Sequence, residues 1–321
     1  MLEIFWLLFD ARANEIIRYS LPGIMVEMLE ILTHLGEGAF LFGIAAILYW
    51  VSRDESRENR ILILALAVAT LSLVMGLKGL LQVPRPVGEL AFAPENYPGW
   101  STPSAHAMGA TAVYGGYAAL KEKGYPIIRY IIAGLIILIV ALSRVVIGVH
   151  YLGDVILGVL LGILLVYIGL KVKNNGSITY MFVIAFFISV GAYLLGSKEF
   201  ITLSLGSSIG GMISWKLVEH KPTDPRGGSI LLSGMILFPF VVLFWVLESL
   251  ILIRTGLDTI EVLGIPFLSL FSIIGYAVLF GIVVALPNIA TKINHWNSVK
   301  KLEEKLPVEN DVPKRERNNP Y

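Results

Sequence analysis

Long apolar runs, broken at intervals by short polar clusters, set the pattern of this 321-residue chain. A bilayer hydrocarbon core of about 30 Å takes roughly 20 apolar residues of helix. Between polar breaks the runs predict nine spans: 36–52, 61–82, 104–120, 127–147, 151–170, 178–197, 200–217, 229–253 and 262–288. Residues 14–32 are apolar as well, but Glu15, Arg18, Pro22, Glu27 and Glu30 interrupt them. That mixture predicts an interfacial amphipathic helix in preference to a tenth span. The N-terminus lacks the charged, apolar and small-residue order of a removable signal peptide. Residues 289–321 lose the apolar pattern, and 291–321 alone hold 12 of the 49 charges together with Pro307, Pro313 and Pro320. A helical stub and then a disordered tail is the expectation there. The expected fold class is all-α, a polytopic transmembrane helical bundle of about nine spans.

Composition narrows the function classes. Hydrophobic residues make up 56% and charged residues 15% of the chain, with a mean hydropathy of +0.75. A soluble domain carries about 25% charged residues, so a soluble globular enzyme is excluded. Lys and Arg number 25 and Asp and Glu 24, a net charge of +1 that argues against a nucleic-acid partner. The absence of cysteine excludes disulfide scaffolds, thiol nucleophiles and Cys-ligated metals. Sorted by alternate loops, 18 of the 25 cations fall on one side, including Arg53, Arg57, Arg60, Lys121, Lys171, Lys216 and the tail. The remaining seven are Arg12, Arg18, Lys78, Arg85, Arg144, Lys198 and Arg254. Cytoplasmic loops carry the excess of Lys and Arg, so the tail is expected in the cytoplasm and the N-terminus outside. Residues 83–103 and the link 148–150 then face outward.

Ionisable residues at the edge of a membrane are costly, about 2.5–3.5 kcal/mol each on insertion scales. Lys78, Arg85, His106, Arg144, His150 and Asp154 all fall at the outer ends of the second to fifth spans. Singly, each has an ordinary explanation: a Lys or Arg snorkels to the headgroups, a His caps or packs, and an i,i+4 His–Asp pair is a local ion pair. Six at one address point to chemistry instead. Three cations suit an anion with several oxygens, Arg binding in a bidentate manner and Lys as a point charge. Ser104 and the N–H groups that open the third span add donors. His150 and Asp154, four apart, share a helical face, so the carboxylate can hold one imidazole nitrogen and leave the other free to attack. His106, from another segment, can protonate a departing oxygen. Neither paired carboxylates nor clustered histidines suggest a metal.

Lys78-x6-Arg85-Pro86, Pro103-Ser104-Ala105-His106 and Ser143-Arg144-x5-His150-x3-Asp154 resemble, in order, the three-part signature of the type 2 phosphatidic-acid phosphatase and vanadium haloperoxidase superfamily. The resemblance covers 78–154 in its motifs and 36–170 in the surrounding helices. It implies a six-helix phosphatase-like core and a metal-independent phosphohydrolase, without cofactor, that works through a phosphohistidine. His150 is then the nucleophile, Asp154 its orienting partner and His106 the general acid and base. Lys78, Arg85, Ser104, Ala105 and Arg144 hold the phosphoryl group. Ala105 stands where the family usually has glycine; if that position needs φ > 0, alanine costs roughly 1 kcal/mol of strain. The chain divides on this reading into an interfacial helix and phosphatase core (1–173), additional transmembrane helices (174–290) and a charged tail (291–321).

The expected substrate is a phospholipid or polyprenyl phosphate: polyprenyl diphosphate or monophosphate, phosphatidic acid or phosphatidylglycerol phosphate. Two alternatives stay open. Pro103–Gly109 also resembles glucose-6-phosphatase, which implies a soluble phosphate ester, and a non-catalytic scaffold or transporter is the more remote reading. Haloperoxidase activity sits poorly with nine spans. Outside the signature, Gly158-x3-Gly162, Gly206-x3-Gly210 and Gly211 suit close helix packing. Glu248 reads as a packed or snorkelling carboxylate in an apolar run.

Overall fold

The computed structural model describes residues 8–51, 56–86, 99–121, 123–195, 200–221 and 265–303, with shorter pieces between 223 and 262. Its helices are α1 (Ala11–Tyr19), α2 (Gly23–Leu32), α3 (Gly38–Val51), α4 (Arg57–Leu81), α5 (Ala105–Ala110), α6 (Gly116–Leu120), α7 (Pro126–Val146), α8 (Leu152–Asn175), α9 (Thr179–Leu194), α10 (Ile201–Val218) and α11 (Phe267–Glu303). A 3-10 turn, Thr33–Gly36, precedes α3, and one π-helical stretch, Thr111–Gly115, joins α5 to α6. Two-residue strands Glu261–Val262 and Ile265–Pro266 pair antiparallel before α11. The fold is an all-α, multi-pass membrane bundle.

The helices fall on the apolar intervals; the 229–253 span is described only in short pieces, and Glu248 lies outside the described residues. Among the described residues, four helices are long and apolar enough to cross a membrane: α4, α7, α8 and Ser269–Asn297 of α11. Residues Gly23–Gly36 and Gly38–Val51 qualify only as a pair, bent by 55°. The helix expected over 14–32 is two helices, because Pro22 lacks an N–H and disfavours helix in the residue before it; the chain breaks there and Pro22 caps α2. α11 carries the predicted stub as far as Glu303, and the tail beyond lies outside the described residues.

α4 is the axis of the bundle. Ser56 caps it, accepting from the Asn59 N–H at 3.1 Å, and it ends where Gln82 turns left-handed ahead of Pro84. In its most apolar 18 residues 78% are buried, against 22% in α7 and 28% in α8, whose flanks are left for lipid. One hydrophobic core joins α4 residues such as Leu62 and Leu66 to Phe182 of α9, Trp215 of α10 and Phe280 of α11. The glycine pairs do what their spacing predicts. A methyl group at Gly158 would lie 2.8 Å from the Ser104 carbonyl oxygen, and one at Gly206 2.6 Å from that of Ile273. α8 therefore presses on α5, and α10 on α11. Inside α11, Pro287 withdraws the N–H that would have bonded the Val283 carbonyl. Trp50 Nε1 donates to that carbonyl at 3.0 Å, and the Tyr49 hydroxyl donates to Val284 at 2.8 Å. Both tie α3 to the break, as a low-dielectric surrounding requires of an exposed carbonyl.

Candidate active site

At the Lys78 end of α4 the chain makes two reversals. After α7, Gly148 adopts φ +81° and brings the link 147–151 back over the bundle. Before α5, residues Ser101 to Ser104 run through a cis Thr102–Pro103 bond and pair with both flanks. The Ser101 N–H donates to the Val83 carbonyl at 2.8 Å, and the Ser104 N–H to that of Asp154 at 3.0 Å. The three predicted motifs meet here.

Asp154 is completely buried in the first turn of α8. Its carboxylate accepts from the hydroxyls of Ser101 and Thr102, from the Tyr151 N–H at 2.8 Å and from His150 Nδ1 at 3.4 Å. His150 was expected on the same helical face; it stands two residues before α8 begins, and the contact forms because the carboxylate folds back over the helix start. On the other side of the ring, Arg85 Nη1 lies 3.3 Å from His150 Nε2. A guanidinium only donates, so Nε2 accepts and Nδ1 carries the proton. That proton faces Asp154 and Ser101 Oγ, the latter at 3.3 Å. His150 lies in the link between spans. Burial pushes its imidazole down to about 3; the Asp154 hydrogen bond opposes this, and the charges of Lys78, Arg85 and Arg144 add to it. The ring is neutral at ordinary pH, with a lone pair on Nε2.

Lys78, Arg85, Ala105, His106, Arg144 and His150 line one cavity of about 590 Å³. Its remaining wall is mostly apolar, with Leu41 and Phe42 of α3, Leu71, Val74 and Met75 of α4, and Phe200 and Leu203 at the start of α10. Ser104 does not reach this wall. It is fully buried and caps α5, accepting from the Ala107 N–H at 3.5 Å. Ala105 is the first residue of the helix; among the described residues the non-glycines at positive φ are Gln82 and Phe200. The strain expected of alanine at this position therefore does not arise.

Residues without a sequence signal hold the site in place. Asn14 of α1, completely buried, donates to the Val145 carbonyl at 2.9 Å and to that of His150 at 2.7 Å. Thr33 accepts from Arg144 Nη1 at 2.8 Å, and the Arg85 side chain donates to the carbonyls of Gly99 and Val149 at 3.0 and 2.8 Å. Gly36 packs so closely on His106 that a methyl group would lie 3.0 Å from its Cβ. Ser101 and Thr102 are the exception to the missing signal, since they adjoin Pro103-Ser104-Ala105-His106 directly.

Residues 60–178 match the PAP2 superfamily. Over 75 residues the chain is 41% identical to phosphatidylglycerophosphatase B of Bacillus subtilis (strain 168), a stretch that is 22% of this chain and 37% of that relative's length. A crystal structure of a transmembrane PAP2-type phosphatidylglycerolphosphate phosphatase from Bacillus subtilis matches 52% of this chain and 85% of its own, at 29% identity and a TM-score of 0.45. The motif residues from Lys78 to Asp154 all fall inside the segment 60–178 that matches the PAP2 superfamily.

Proposed function

We propose that the chain is an integral-membrane, metal-independent phosphatase that hydrolyses a lipid phosphate or diphosphate through a phosphohistidine. One observation carries the choice of a lipid: the cationic pocket and the apolar slot beside it are one cavity. A headgroup phosphate meets Lys78, Arg85 and Arg144 while its tail stays among Leu41, Phe42 and Val74. A soluble sugar phosphate would leave that slot with no ligand surface to cover it. The relative named phosphatidylglycerophosphatase B supports a glycerophospholipid among the candidates. The bias of cations to the opposite side supports an extracytoplasmic site, served by an outward N-terminus and a cytoplasmic tail.

In this mechanism Nε2 of His150 attacks phosphorus, and the N–P bond forms as the P–O bond to the lipid breaks. His106 gives its proton to the departing oxygen. Asp154 retains the Nδ1 proton and balances the positive charge that the ring acquires, the part an orienting carboxylate plays in a triad. Lys78, Arg85 and Arg144 stabilise the charge on the non-bridging oxygens, and Ser104 holds the helix start that presents Ala105. Water then attacks phosphorus, His106 takes its proton, and the N–P bond breaks to release orthophosphate and neutral His150.

The test is phosphate release by the purified full chain across polyprenyl phosphates, phosphatidic acid, phosphatidylglycerol phosphate and soluble sugar phosphates, with EDTA present. Release from lipids that persists in EDTA and ignores millimolar sugar phosphate is the expected result. Preference for the soluble esters would move the assignment to a glucose-6-phosphatase-like hydrolase. No release from any of them would leave a scaffold or transporter.

A further inference from the structure

The helices after residue 178 lie outside the family match, yet they reach the cavity. Phe200 and Leu203, at the start of α10, form part of its apolar wall. Phe200 sits at φ +50° with its side chain largely exposed. A left-handed backbone without glycine is costly, and where it persists the surrounding structure imposes it.

That surrounding structure is visible one residue past Leu203. The hydroxyl of Ser204 lies 2.8 Å from that of Ser72 on α4 and 2.5 Å from that of Ser189 on α9, and Ser189 donates to Ser72 at 2.9 Å. All three serines are fully buried. A closed ring of hydroxyls inside a bundle is satisfied in one register only, so it fixes the height of α10 against α4. α10 runs antiparallel to α4, since the carbonyl near its far end, that of Val218, accepts from Arg57 at the start of α4. At about 1.5 Å per residue, Lys78 stands roughly 9 Å above Ser72 and Phe200 roughly 6 Å above Ser204. The ring therefore places Phe200 just below the proposed phosphate level, where the first carbons of a tail would lie.

We propose that α10 is the tail-selecting wall of the cavity, and that Phe200 and Leu203 determine which hydrocarbon chain the lipid phosphate carries. The inference rests on the lipid-phosphatase reading and gives the helices beyond the PAP2 segment a part in it. The tail chemistry is an aliphatic chain, and its two sources, fatty acyl and isoprenoid, are separated by the test.

The experiment measures kcat/KM of the full chain in mixed micelles for phosphatidic acids of graded acyl length and for isoprenyl phosphates of graded length. It uses the wild type, Phe200→Ala, Phe200→Gly, Phe200→Trp and Leu203→Ala. Phe200→Gly removes the ring while relieving the left-handed backbone, so it separates lost contact from lost folding. Removing or enlarging a wall group changes selectivity between neighbouring chains by about tenfold, in opposite directions for alanine and tryptophan and mainly through KM. A shift confined to acyl or to isoprenoid chains supports the proposal and identifies the tail. A uniform loss on every chain length, or profiles identical to wild type, would overturn the wall while leaving the phosphatase assignment intact. A wild type that hydrolyses soluble esters but no lipid would overturn both.

Discussion

The two ends of α4 both gather buried and half-buried cations, and they use them differently. At the first end, Arg57 donates to the carbonyls of Val218 and Lys221 at 2.6 and 2.8 Å and to Asn288 Oδ1 at 2.6 Å, with its guanidinium 5.0 Å from the Trp215 ring. Arg60 beside it donates to the Tyr49 carbonyl at 3.1 Å. These groups tie the ends of α3 and α10 to the middle of α11, beside Pro287. At the other end Lys78, Arg85 and Arg144 border a cavity shared with two histidines. Arg85 also clasps two carbonyls, so carbonyl bonds alone do not separate structural from chemical cations. The separation is the cavity, together with an imidazole whose tautomer is held from both sides.

Four substitutions test that contrast. The largest effect belongs to His150→Ala: phosphate release falls at least about 10³-fold, and no phosphorylated protein is trapped by alkaline quench. A quenched phosphoprotein that survives this substitution would move the nucleophile elsewhere. Arg144→Gln comes next, with an expected loss of about 10²-fold in kcat/KM if its charge has the phosphate-binding role proposed above. Asn14→Ala frees two carbonyls of the link and is expected to lower activity about tenfold and stability by about 1–3 kcal/mol, read from turnover and thermal unfolding in detergent. Arg57→Leu reverses the balance. Stability drops by about 2–4 kcal/mol through the stranded carbonyls, while turnover per folded molecule stays within about twofold. A large catalytic loss in Arg57→Leu would erase the difference between the two ends.

Much of this was legible in the sequence because it is local. Apolar runs placed the helices, the glycine pairs marked the close contacts, and three spaced motifs named the residues around the cavity. The His150–Asp154 pairing was readable from spacing, although the helix begins later than the spacing implied. The rest depends on contacts far apart in the chain. Arg144 meets Thr33 across 111 residues, and Asn14 reaches His150 across 136. An asparagine or threonine in a polar segment has no periodicity to betray such a partner. Nor does Phe200 look different from any other aromatic residue at a span end until α10 is seen beside α4.

The Asn14 anchor bears on how the protein can be divided. The segment that matches the PAP2 superfamily begins at residue 60, but the groups that steady its His150 link and its Arg144 come from Asn14 and Thr33. The cavity also draws Glu37, Leu41 and Phe42 from before residue 60 and Phe200 and Leu203 from after residue 178. Cutting the chain at the family boundaries would keep every motif and discard the props and much of the lining. A fragment that keeps the cavity and its supports together therefore starts ahead of α1 and extends through α10.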